Sequence, residues 1–130
     1  MIKKIIYSID NADFCLCITD NDVKALEESK KQAIGNILNS LNKTRDFVDC
    51  ICVALPYETD KKTAALKIID NILEEKGHIE SVKRFTISLF HLFGYVPSYS
   101  FQEALAKHIL NNYINAKKEN NTSEKENKNA

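Results

Sequence analysis

Tryptophan is absent from this chain, and glycine and proline are scarce: 130 residues include 3 Gly and 2 Pro. The glycines, Gly35, Gly77 and Gly94, stand alone. Neither GxGxxG nor the GxxxxGK phosphate loop occurs, so no glycine-rich cradle for a nucleotide is present. A GxSxG nucleophile elbow is missing as well. Arginine is reduced to Arg45 and Arg84, and the 18 basic residues are matched by 18 acidic ones. Zero formal charge excludes a large electrostatic footprint on nucleic acid and leaves room only for a local patch. No apolar run approaches the roughly 18 residues a membrane helix needs. The opening Met1–Tyr7 has the look of a signal sequence, but its apolar run is interrupted at Ser8 and ended by Asp10-Asn11, short of the about 7–15 apolar residues required. The expected setting is the cytoplasm, without membrane contact.

What is present suffices for a packed domain: 44% of the residues are hydrophobic and 28% charged, close to a globular average. The exception is 117–130, KKENNTSEKENKNA. It has no large apolar residue with which to offset its ordering entropy. The organisation expected is one compact domain over 1–116 and a disordered polar tail over 117–130.

Apolar spacing predicts helices near 21–42, 60–76 and 101–116. In the first, Val23, Leu26, Ile34, Ile37, Leu38 and Leu41 recur at helical intervals, Asp20 or Asn21 supplies a cap, and Glu27–Lys31 is a favourable i,i+4 pair. Gly35 either weakens this helix or admits a close neighbour. The second ends naturally at Lys76-Gly77. The third has Ser100 and Glu103 placed as a capping box. Two apolar runs, 4–9 and 14–19, flank a polar Asp10–Asp13 loop and suit a β-hairpin. Phe47–Leu55, short, partly β-branched and stopped by Pro56, reads as one further strand. Ser81–Phe93 fits strand and helix alike; its length and Gly94 favour helix. The fold expected is therefore α+β: a β-hairpin and one further strand on three to four helices. An all-α arrangement of helical hairpins is the runner-up, and a parallel βαβ sheet comes third.

Four cysteines form two Cys-x-Cys pairs, Cys15/Cys17 and Cys50/Cys52, 35 residues apart. Zinc sites favour two to four intervening residues in turns. These pairs are embedded in apolar runs, so they read as reduced core thiols holding no metal. No cofactor is expected. His78, His91 and His108 lack an HExxH-type spacing and read as structural. Asp10, Asp13, Asp20 and Asp22 read as turn and cap residues. Asp49 interrupts an apolar run; if buried it needs a partner such as Arg45.

No catalytic residue stands out, and an enzyme is not the favoured reading. The segment 81–99 carries more apolar side chains than one helical face accommodates. It forms either a central buried helix or a contact surface. Phe90, Leu92, Tyr95 and Tyr99 are the candidate partner-binding residues of a small interaction or regulatory protein, through a protein partner or self-association. The alternative is a nucleic-acid-associated accessory subunit using Lys83 and Arg84. A small metal-binding or hydrolytic enzyme, using the cysteines or the aspartates, ranks third.

Overall fold

The computed structural model describes residues 4–9, 11–75 and 79–129, with the side chains at 75 and from 117 onward left aside. Two strands, β1 (Lys4–Ile9) and β2 (Ala12–Cys17), pair antiparallel, with Ile9 opposite Ala12 and Lys4 opposite Cys17. The α+β class is as expected, and the hairpin is tighter than the sequence suggests: β2 begins at Ala12, inside the polar stretch. The alternating pattern puts Ile5, Tyr7, Ile9, Phe14 and Leu16 on the side facing the helices. Ile6 stands on the other, 59% exposed.

The long helix expected over 21–42 is two. Thr19, rather than Asp20 or Asn21, caps α1 (Asp20–Lys30): its hydroxyl accepts from the Asp22 N–H at 3.2 Å. Lys31 then turns left-handed, φ 54°. After that break Ile34 opens α2 (Ile34–Leu38), and the Glu27 carboxylate accepts its N–H at 2.9 Å. Glu27 thus caps the next helix instead of pairing with Lys31 at i,i+4. The polar stretch 27–32 is a corner. Turning there lets Leu26 and the set Ile34, Ile37, Leu38 and Leu41 all reach the core.

Phe47–Leu55 is not the further strand expected. It forms α3 (Thr44–Val53). Phe47, Cys50, Ile51 and Ala54 lie at i, i+3, i+4 and i+7, and all are buried. That is a helical period, which the β-branched composition masks. The 35-residue echo between the Cys-x-Cys pairs therefore has no structural meaning, since one pair lies on a strand and the other on a helix.

Asp60 caps α4 (Lys61–Asp70), accepting from the Thr63 N–H at 3.1 Å and its hydroxyl at 2.7 Å. The helix widens into a π-helical turn over Asn71–Glu75. Extra residues per turn bring Asn71, Ile72 and Leu73 inward together, and all three are buried. The expected stop at Lys76-Gly77 lies outside the described residues. Next come α5 (Ile79–Leu92) and α6 (Tyr99–Asn129). The segment 81–93 is helical, as its length predicts, and central. Val82, Phe85, Thr86, Leu89 and Phe90 are buried between the hairpin, the π-turn and α6. Phe85 meets Tyr7 edge to face at 5.6 Å and Phe47 at 6.2 Å between centroids. Leu105, Ala106 and Ile109 seat α6 on this core. Its backbone continues as helix to Asn129, where the sequence reading places a tail from Lys117; the side chains there are outside the described set.

Candidate functional site

Apolar surface concentrates in the loop between α5 and α6. Gly94, at φ +86°, closes α5. Its N–H donates to His91 O at 3.0 Å and the Tyr95 N–H reaches back to Phe90 O at 2.9 Å. Paired bonds of this kind form a Schellman motif, which needs a left-handed residue and so favours glycine. The turn lays Tyr95 over α2, where a Cβ added at Gly35 would stand 3.4 Å from the Tyr95 hydroxyl. Gly35 thus admits a close neighbour, one of its two sequence readings.

From the other end the loop is held by α6. The Ser98 hydroxyl caps it, accepting from the Phe101 N–H at 3.3 Å, and Gln102 Nε2 donates to Pro97 O at 2.8 Å. Ser98, not Ser100, is the cap. Glu103 is thereby released from a capping box and accepts from the Tyr99 hydroxyl at 3.1 Å and from Lys83 Nζ at 3.3 Å. The Lys83 hydrogen bond first, and that of Tyr99 second, hold the Glu103 carboxyl below its usual range. Lys83 also faces the Tyr99 ring at 4.8 Å, a cation–π arrangement.

This anchoring presents side chains outward. Val96 is 84% exposed, Tyr99 68% and Tyr95 42%. Beside them lies a groove of about 280 Å³, lined by Asn39, Phe90, Phe101 and the loop residues Tyr95–Ser98. Tyr95 and Tyr99 are both exposed, Tyr95 against Gly35 and Tyr99 against Lys83 and Glu103. Leu92 is only half-buried. Phe90 is 4% exposed and packs edge-to-face on Phe101 at 5.8 Å; it serves the core and floors the groove. Val96 was missed. An exposed β-branched residue between Gly94 and Pro97 is the signal that marks it.

The basic pair divides. Lys83 is buried against Glu103 and Glu80 and is committed within the fold, so it is not the outward cation the nucleic-acid alternative requires. Arg84 is exposed. Asp49 meets Lys30 at 2.7 Å, and Asp46 meets the same ammonium at 2.8 Å. The partner is Lys30, not Arg45. Both carboxylates, Asp46 first, raise the Lys30 pKa. Asp13 accepts from the Ser8 hydroxyl at 2.6 Å across the hairpin, while Asp20 and Asp22 occupy the first turn of α1. Asp10 and His78 lie outside the described residues. His91 and His108 are exposed.

All four cysteines are free thiols. Cys17 and Cys50 are buried, and Cys15 and Cys52 half-buried. Desolvation pushes the Cys50 thiol up to about 12 and raises Cys17 and Cys52 as well. High thiol pKa values oppose thiolate chemistry at neutral pH. Among the described residues no three His, Cys, Asp or Glu side chains are gathered to share a metal, and no helix is long and apolar enough to cross a membrane. No protein-family model matches the chain, and no curated protein or solved structure matches it.

Proposed function

We propose that this chain is a small non-catalytic interaction protein that engages a protein partner through the α5–α6 loop. The observation carrying this reading is the anchored display of Val96, Tyr99 and Tyr95. Val96 and Tyr99 lie largely in water and Tyr95 partly so, although the Schellman turn, the Ser98 cap and the Pro97–Gln102 bond hold the backbone in place. A preformed loop loses little entropy on binding. Fully burying a Val side chain contributes roughly 1.5–3 kcal/mol, and tyrosines are over-represented among residues that dominate interfaces. The groove beside the loop gives a partner side chain somewhere to insert.

The test uses two exposed substitutions, Val96→Asp and Tyr99→Ser. Neither side chain is part of the core; Val96→Asp should keep the thermal midpoint within about 2 °C of wild type, whereas Tyr99→Ser also gives up the Glu103 hydrogen bond and the Lys83 contact and should lower it by a few degrees without loss of the native circular dichroism. Light scattering reads self-association, and affinity capture followed by titration of the captured protein reads a heterologous partner. Loss of one association in both variants supports the reading. An association that survives both with unchanged affinity defeats it.

A further inference from the structure

A second surface has different chemistry. The sheet has two strands, so each has one ladder edge without a strand beside it among the described residues. The β2 edge is engaged, since the Cys17 N–H donates to Ala54 O of the α3 cap at 3.0 Å. On the β1 side lies a groove of about 230 Å³, lined by Ile5 and Tyr7 of β1 and by Ser81, Arg84, Phe85 and Ser88 of α5. No β2 residue lines it, which places it along the open edge of β1. Its floor is apolar and aromatic. Its far wall is a helical stripe at i, i+3 and i+7, two hydroxyls and one guanidinium. Arg84 is exposed and forms no ion pair with any described residue.

We propose that this groove binds an extended peptide that presents both apolar and acidic side chains on its inward face and adds to β1 as a third strand. Open ladder groups of an edge strand are a template for exactly one kind of ligand backbone, an extended one. Ser81 to Ser88 spans about 10 Å at 1.5 Å per residue, the length of about three strand residues at 3.3 Å each. Alternate side chains then turn down into the groove, where Ile5, Tyr7 and Phe85 receive an apolar one and Arg84, on the same helical wall, receives an acidic one. Arginine pairs best with a carboxylate, which it grips through two parallel hydrogen bonds. A second copy of β1 does not supply that partner, because KIIYSI carries no acid. A nucleic-acid strand needs several cations along its path, and among the described residues lining this groove there is one, Arg84.

The proposal stands independently of the α5–α6 loop. The probes are a labelled eight-residue peptide with serine at every second position and valine and glutamate taking turns between the serines, its valine–lysine counterpart, the acidic peptide N-methylated at alternate residues, and an eight-nucleotide oligouridine. Fluorescence anisotropy is read on the full chain, on Arg84→Glu, on the milder Arg84→Gln and on Val96→Asp, each first checked for wild-type circular dichroism and thermal midpoint. The acidic peptide should bind, with affinity falling at least tenfold in Arg84→Glu and less in Arg84→Gln. N-methylation should abolish binding, and Val96→Asp should leave it unchanged. Amide shifts on binding should map to β1 and to 81–88. No binding of the acidic peptide, equal binding of the lysine peptide, indifference to Arg84, or preference for oligouridine each overturns the proposal.

Discussion

Replacing Tyr7 by Phe removes one hydroxyl and leaves the ring. In the native fold that hydroxyl donates to Asn71 Oδ1 at 2.7 Å, joining residues 64 apart in sequence. Asn71 is 7% exposed and sits at the first position of the π-helical turn. A two-stranded hairpin is marginal by itself, so its stability comes from docking, and this bond is one of the docking points. The edge contact with Phe85 survives the substitution. The loss is therefore the bond together with a buried acceptor deprived of its Tyr7 donor, about 1–2 kcal/mol. For a chain of this size that lowers the thermal midpoint by roughly 4–8 °C. Tyr7→Ala also removes the ring and should cost about 3–5 kcal/mol. Urea unfolding gives the free energies. A double-mutant cycle with Asn71→Ala should return a coupling near 1 kcal/mol, within the usual range for residues in contact. Hydrogen exchange should show hairpin amides losing protection before those of α5. A neutral Tyr7→Phe with no coupling to Asn71 refutes the claim that this bond fastens hairpin to turn.

Other substitutions and conditions test separate parts of the structure. Lys31→Gly relieves a left-handed residue at the α1 corner and should stabilise the protein by about 1 kcal/mol by urea unfolding, since only glycine adopts that conformation without strain. Raising the pH should destabilise the fold through Cys50: its thiol ionises near 9 when unfolded and only near 12 when folded. The contribution is fully present below pH 9 and is lost as pH rises from 9 toward 12, at up to about 1.4 kcal/mol per pH unit. Cys50→Ala should flatten that part of a stability–pH curve, and an unchanged slope counts against the buried thiol. Deleting Lys117–Ala130 should move the thermal midpoint by less than about 2 °C, because a segment without large apolar residues buries little; a large drop shows that it docks.

Local sequence determined the parts of this protein whose signals are local. Asp60 ahead of an apolar stripe marks the start of α4, the polar break between two β-rich runs marks the hairpin, and Gly94 marks the end of α5. The exposure of Tyr95 and Tyr99 was legible too, because aromatic residues beside Gly94 and at the first position of α6 have few ways to be buried. Tertiary structure decided the rest. Phe47–Leu55 is short enough to satisfy two periods, and only the core around Phe85 and Ile51 selects the helical one. Whether 21–42 runs straight or bends is settled by Glu27 meeting the Ile34 N–H and by Lys30 lying between Asp46 and Asp49. Lys83 reads as half of a basic patch until Glu103, twenty residues away, is folded beside it. The groove along β1 is invisible for the same reason: it is made by Ile5 and Arg84, which only the fold brings to one place. Spacing encodes which face of an element is apolar, but not what the opposite face will meet.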